Sequence, residues 1–143
     1  MVSVRLAHIK DTPQLINLLH EVQEKKQVGQ DQIIDPDSFA EYMTECVFSG
    51  GIYPFVAVDD EKIVGLLVLT EVTCPWNYGY VYGSDLLFVA LKGGPKLIRT
   101  AKKLGRKKNW KNIYFTTSMN NDRADKFFSN IASQVGGTYK VEV

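Results

Sequence analysis

Six apolar residues in succession, Leu86 to Leu91, run directly into Lys92-Gly93-Gly94-Pro95. A run so short and so apolar predicts a central strand buried on both faces rather than one side of an amphipathic element. The two glycines permit a sharp change of backbone direction, and Pro95 suits the first position of a helix. Leu97, Ile98, Ala101 and Leu104 then recur at helical spacing. A buried strand feeding a helix requires layers packed on both sides of a sheet, so the expected fold class is α/β.

The remaining chain fills in that architecture. Val2 to Ile9 alternates apolar and polar residues, which predicts a strand. Asp11-Thr12-Pro13-Gln14 reads as an N-cap, an early proline and a capping-box glutamine, opening a helix to about Lys26 with Leu15, Leu18, Leu19 and Val22 inside. Gln27 to Ile34 reads as a loop. Asp35-Pro36 opens a second helix with Phe39, Met43, Cys46 and Val47 inside, stopped at Ser49-Gly50-Gly51. Tyr53 to Val58, a turn at Asp59-Asp60-Glu61, and Lys62 to Glu71 form a hairpin. Cys74-Pro75-Trp76-Asn77 breaks the run before the strand from Tyr78 to Leu91. Beyond the helix after Pro95, Asn112 to Thr117 is a short strand, and Asn121 caps a last helix whose apolar stripe runs from Ala124 to Val135. Gly136-Gly137 closes it, and Thr138 to Val143 is a final strand. The order is β-α-α-β-β-β-α-β-α-β in one domain, residues 1–143, with a central mixed sheet flanked by helices.

Charge is distributed unevenly. Nine of the 17 basic residues lie between Lys92 and Lys111, a segment without Asp or Glu, leaving eight for the rest of the chain against all 16 acidic residues. One positive face on a mildly acidic body calls for an anionic partner. A solvated surface is the bland alternative. No stretch approaches the roughly 18 consecutive apolar residues of a membrane span, and the first residues lack a secretory h-region. Cys46 and Cys74 stand outside any CxxC or CxH spacing, so no metal site is expected. The expected compartment is the cytoplasm, with both thiols reduced.

This order of elements resembles the GNAT superfamily of N-acetyltransferases over nearly the whole chain. The residues that carry the likeness are Asp85-Leu86-Leu87-Phe88-Val89-Ala90-Leu91-Lys92-Gly93-Gly94-Pro95-Lys96-Leu97, where the family's fourth strand meets its next helix, and Asn121-Asp122-Arg123-Ala124-Asp125-Lys126-Phe127-Phe128, where a later helix opens. The resemblance implies acetyl-CoA as co-substrate, with its pyrophosphate on the amides of a glycine loop and a helix N-terminus. It implies cofactor contacts from Phe88, Val89, Lys92, Gly93, Gly94, Lys96, Leu97, Asn121 and Phe128, and a β-bulge that parts the fourth strand from the fifth near Val89 and Thr116. It implies direct attack of an amine, small-molecule or protein, on the thioester. Two departures stand out. The loop holds only Gly93-Gly94 and is short, and Phe128 occupies the place of a tyrosine that often protonates the leaving thiolate. That proton would then come from water, Ser118 or Tyr114. The short loop and basic helix also resemble small GNAT-like proteins of tailed phages. On that likeness the alternative is a binding or virion protein without turnover, gripping nucleic acid or an anionic protein through residues 92–111. Small domains of this family often form homodimers.

Glu71 and Asp85 are the candidate catalytic bases, each weighed against an ordinary exposed strand-end carboxylate. Tyr78, Tyr80 and Tyr82 share one strand face and, with Trp76, either line an acceptor pocket or serve as common sheet aromatics. His8 and His20 are read as structural.

Overall fold

The computed structural model describes residues 1–25, 33–116, 122–136 and 141–143. Five strands form one sheet in the order β1-β2-β3-β4-β5: β1 Val2–Leu6, β2 Ile52–Asp59, β3 Lys62–Cys74, β4 Asn77–Ala90 and β5 Ile113–Tyr114. The first four are antiparallel neighbours, and β5 joins β4 in parallel after a helical crossover. The helices are α1 Thr12–Glu24, α2 Pro36–Phe48, α3 Gly94–Lys108 and α4 Asp122–Ser129. The expected mixed α/β sheet flanked by helices is therefore the observed architecture.

Period-two alternation sends each strand's side chains to two cores. On one face Val56, Leu66, Val68 and Val89 meet Leu15, Leu18 and Val22 of α1 and Met43 and Cys46 of α2. On the other, Phe55, Leu67 and Leu69 meet Leu97 and Ala101 of α3 and Trp110. The central, doubly buried strand is β3, whose residues Ile63 to Leu69 are all buried. The Leu86–Leu91 run lies one strand over, where Leu86 is 50% exposed. Its apolar residues answer two cores, but this part of β4 has a neighbour on one side only.

Local signals explain most element ends, with three corrections. Asp35 caps α2 as expected, its carboxylate accepting from the Ser38 N–H at 3.2 Å. Asp11 does not cap α1 with its side chain. Its carboxylate instead takes both guanidinium nitrogens of Arg5, at 2.8 and 3.0 Å, and the His8 N–H at 2.7 Å. Gln14 reaches across to accept from the Ile63 N–H on β3. The last helix is shorter than its apolar stripe suggests. It ends at Ser129, where Ser129 Oγ and Asn130 Nδ2 both donate to the Lys126 carbonyl and compete with helix propagation. Val135 is left exposed. Of the expected final strand, residues 141–143 form none, and the preceding three lie outside the described residues.

Candidate functional site

β4 carries the geometry that matters. Val68 pairs with Leu87 and Leu69 with Asp85, so Leu86 is the extra residue of a β-bulge. Bulges bend a strand and break its ladder. On the other edge, β4 pairs with β5 only at Gly83–Ile113 and Ser84–Tyr114. Beyond that rung the strands part, and Asp85 occupies the point of parting. Its carboxylate accepts the Thr116 N–H at 3.1 Å, so a side chain stands where a further ladder bond would be. The bulge and opening expected near Val89 thus begin three to four residues earlier.

Asp85 is half-buried, and burial pushes its pKa up to about 6 against the counteracting hydrogen bonds of the Thr116 and Asp85 backbone. Glu71 lies on the same face, opposite Gly83. Its carboxylate accepts the Trp110 indole N–H at 2.6 Å. The indole lies against Gly83, where a Cβ would stand 2.5 Å from the ring. Glu71 is exposed and held as part of this packing.

The opening beyond Asp85 is lined with phenylalanine. Phe128 stacks on Phe115 at 5.2 Å between centroids, and both rings approach Phe88, at 5.9 and 5.8 Å. Phe127 meets Phe88 and Phe128 edge-on. Phe88 and Phe128, both expected around the cofactor, are therefore brought together. Val89 and Leu97 are buried in opposite cores, so only their backbones remain for a ligand.

The two glycines divide their roles. Gly93, at φ +86, turns the chain, and a Cβ there would strike Val2 and Ala57 at 2.8 and 2.9 Å. Gly94 looks the other way, where a Cβ would find Phe127 at 3.6 Å and Phe88 at 3.9 Å, an ordinary contact distance. Among the described residues no side chain caps α3, and its first turn holds no acid. The leading N–H groups, those of Gly94 and Lys96 because Pro95 has none, stand at the positive end of the helix dipole. Lys92 forms an ion pair with Asp59 at 2.7 Å, and Lys96 donates to the Val2 carbonyl, so both lean toward β1 and β2. Arg123 of α4 also reaches the loop, its Nη2 donating to the Leu91 carbonyl at 3.2 Å. Sequence spacing gave no reason to pair residues 123 and 91, because only the packing of α4 brings them together. Asn121 lies outside the described residues.

A pocket of about 540 Å³ opens on the other face of the sheet, lined by Cys74, Pro75, Trp76, Asn77, Tyr80, Tyr82, Ser84 and Tyr114. It forms because Tyr78, Gly79 and Tyr80 have no partners in β3. The Tyr80 and Tyr114 hydroxyls lie 3.3 Å apart, Asn112 donates to Tyr80 at 2.8 Å, and Tyr82 packs edge-on against Tyr114. The hydrogen bond with Tyr80 raises the Tyr114 pKa, so its hydroxyl keeps its proton. Trp76, Tyr80 and Tyr82 thus share the pocket, whereas Tyr78 is not part of its wall. His8 and His20 belong to neither this pocket nor the opening. No group of three metal-ligating side chains occurs among the described residues, and no described helix is long and apolar enough to cross a membrane.

No protein-family model matches this chain, and no curated protein matches it by sequence. Solved structures do match it in shape. A transcriptional regulator from Bacillus halodurans C-125 superposes with a TM-score of 0.82 at 19% identity, covering 100% of both chains. A GNAT family acetyltransferase from Staphylococcus aureus gives 0.71 at 17% identity, covering 99% of this chain and 98% of its own. A predicted acetyltransferase with acetyl-CoA, from Clostridium acetobutylicum, gives 0.72 at 12% identity, covering 99% and 96%. The bulged fourth strand, the parallel fifth strand and the glycine turn into α3 therefore sit in a chain with the fold of the GNAT acetyltransferases.

Proposed function

We propose that this protein is an acetyl-CoA-dependent N-acyltransferase, with the thioester received in the opening between β4 and β5. The observation that carries this reading is the pairing pattern of β4, bulged at Leu86 and released from β5 after Ser84, directly ahead of a helix N-terminus that opens on Gly93-Gly94. The donor set suits a pyrophosphate: the Gly94 and Lys96 amides at the start of α3, no side chain at Gly94 to stand over them, and Arg123 beside the loop. Acetyl-CoA would supply an activated acyl group, so the protein need only bind, orient and move protons.

Asp85 is the better base of the two carboxylates. Its raised pKa suits proton transfer near neutrality, and the Thr116 N–H holds one oxygen while leaving the other for an amine or a water. Glu71 is tied to Trp110 and exposed, which suits a structural role. The aromatic pocket is the proposed acceptor site. It reaches Ser84 and Tyr114, the last rung before the opening, so an amine there would approach Asp85 from across the sheet. Its wall has no carboxylate, which favours a singly charged amine on an apolar or planar body over a polycation. Phe128 has no proton to give. Tyr114, protonated and at the end of the β5 ladder, is the hydroxyl that replaces it in this scheme.

Calorimetric titration with acetyl-CoA and CoA tests the binding step, and thiol release with a panel of amines tests turnover. Saturable binding with a rise in melting temperature is expected; 100-fold excess over Kd should add about 2.7 kcal/mol of stability. Neither heat nor a melting shift at millimolar ligand would reject the enzyme reading in favour of a binding protein of the same fold.

A further inference from the structure

The sheet separates two helical layers of opposite charge. α1 and α2, which share a core on one face, carry Glu21, Glu24, Asp37, Glu41 and Glu45 and no Lys or Arg. On the other face, α3 carries seven basic residues and no Asp or Glu. Leu97, Ile98, Ala101 and Gly105 fix its buried side. Arg99, Lys102, Lys103, Arg106 and Lys107 are all exposed on the opposite arc, and none forms an ion pair among the described residues.

The proposed acetyl-CoA site does not account for this arc. Its anion anchor is at Gly94, and a rise of 1.5 Å per residue puts Lys107 roughly 20 Å further along the helix. Dipole compensation favours cations in the last turn only, and Arg99, Lys102 and Lys103 precede it. A helix kept soluble by surface charge ordinarily mixes signs at i, i+4 spacing, and here every such pair is like-charged.

We propose that the outward face of α3 docks on the phosphate backbone of duplex nucleic acid, without regard to base sequence. Arg99, Lys103 and Lys107 step along one row at about 6 Å per i, i+4 interval, presenting a straight line of cations to a line of phosphates. α3 has no aromatic residue on which to stack bases, the device single-strand binders use. It has no Asn or Gln for the bidentate reading of adenine and no Asp or Glu to accept from cytosine. The acidic layer on the far face opposes binding in the reversed orientation and leaves the aromatic pocket, on that same far face, open to solvent. This proposal is independent of acetyl transfer.

Fluorescence anisotropy of a labelled 20-base-pair DNA, from 50 to 200 mM KCl, tests it. Five phosphate contacts give a log–log salt slope of about −4.5, a loss of roughly 500-fold across that range. Replacing Arg99, Lys102, Lys103, Arg106 and Lys107 together by Gln keeps helix propensity nearly constant. That variant should lose at least ten-fold in affinity at 50 mM salt, flatten the slope, and retain its circular dichroism and acetyl-CoA titration. If it fails to fold, Lys102→Gln with Lys107→Gln should reduce the slope by about 2. The proposal is overturned by absence of duplex binding at 50 mM salt, by binding that the glutamines leave unchanged, by ten-fold tighter binding of the single strand, or by capture on phosphatidylserine vesicles without any binding of duplex.

Discussion

From Val81 to Ser84, β4 is held on both edges, by β3 and by the segment Lys111 to Tyr114. From Asp85 to Ala90 it keeps β3 alone. The first stretch is packed around Trp110, with Gly83 under the indole and Glu71 on its N–H. The second faces an opening lined by Phe88, Phe115, Phe127 and Phe128. One strand thus serves as scaffold at one end and as wall of the proposed cleft at the other. Asp85, at the boundary, is held by scaffold and sits in the opening. Substitutions on the two sides should therefore fail differently: stability first in the paired half, ligand binding or rate first in the parted half.

The largest effect is expected at the boundary. Asp85→Asn keeps an acceptor for the Thr116 N–H and removes the base, so turnover should fall roughly 10²–10⁴-fold. The wild-type rate should rise with pH through about 6 and then level, as the carboxylate ionises. The variant should lose that limb. Stability moves the opposite way. Because the folded-state pKa lies above the ordinary 3.8, ionisation of Asp85 disfavours the fold. Its contribution should fall as pH rises from about 4 to about 6 and stay constant beyond, a dependence absent from urea titrations of Asp85→Asn. A full pH–rate limb in the variant would move the base elsewhere.

Next in size is Gly83→Ala, in the paired half. A methyl 2.5 Å from the Trp110 ring must displace it, at a cost of about 1–3 kcal/mol. The melting temperature should drop and Trp110 fluorescence should change, while acetyl-CoA affinity measured below the new transition stays within two-fold. A loss of affinity as large as the loss of stability would show that the two halves are not separable.

The adjacent glycines sharpen the contrast at the far end of the strand. Gly93→Ala places a side chain at positive φ and against Val2 and Ala57, so it should cost about 1–2 kcal/mol or more. Gly94→Val should cost less stability than Gly93→Ala, since its Cβ meets only ring atoms at ordinary contact distance, and should weaken acetyl-CoA binding by crowding the approach to the helix amides. Equal titrations for Gly94→Val and wild type would remove the loop from the site. The smallest effect is expected for Phe128→Tyr. The ring stacks on Phe115 among other phenyl rings, so a hydroxyl there should lower stability by about 1 kcal/mol and leave the rate unimproved. A faster variant would instead place that ring at the reacting atoms.

The sequence by itself determined the elements from β1 to the start of α4 and their order. Period-two and helical spacing, the Asp35-Pro36 start and the glycine stops are local signals, and local signals survive without tertiary context. It also determined the charge division, because α3 has seven cations and no acid wherever it packs. It singled out Asp85 and Glu71 as candidate bases, and it grouped Trp76 with Tyr78, Tyr80 and Tyr82, of which the pocket wall takes all but Tyr78. What it left open was which strand lies at the centre. The Leu86–Leu91 run and β3 are both apolar, and only strand pairing made β3 central. It could not separate the two carboxylates, since Trp110 and Thr116, their partners, are remote in sequence. It assigned Gly93 and Gly94 one role, where opposite Cα directions gave them two. It passed over Arg123, whose place beside Leu91 depends on how α4 packs. In each case a residue's chemistry was legible, and its neighbour across the fold decided the use.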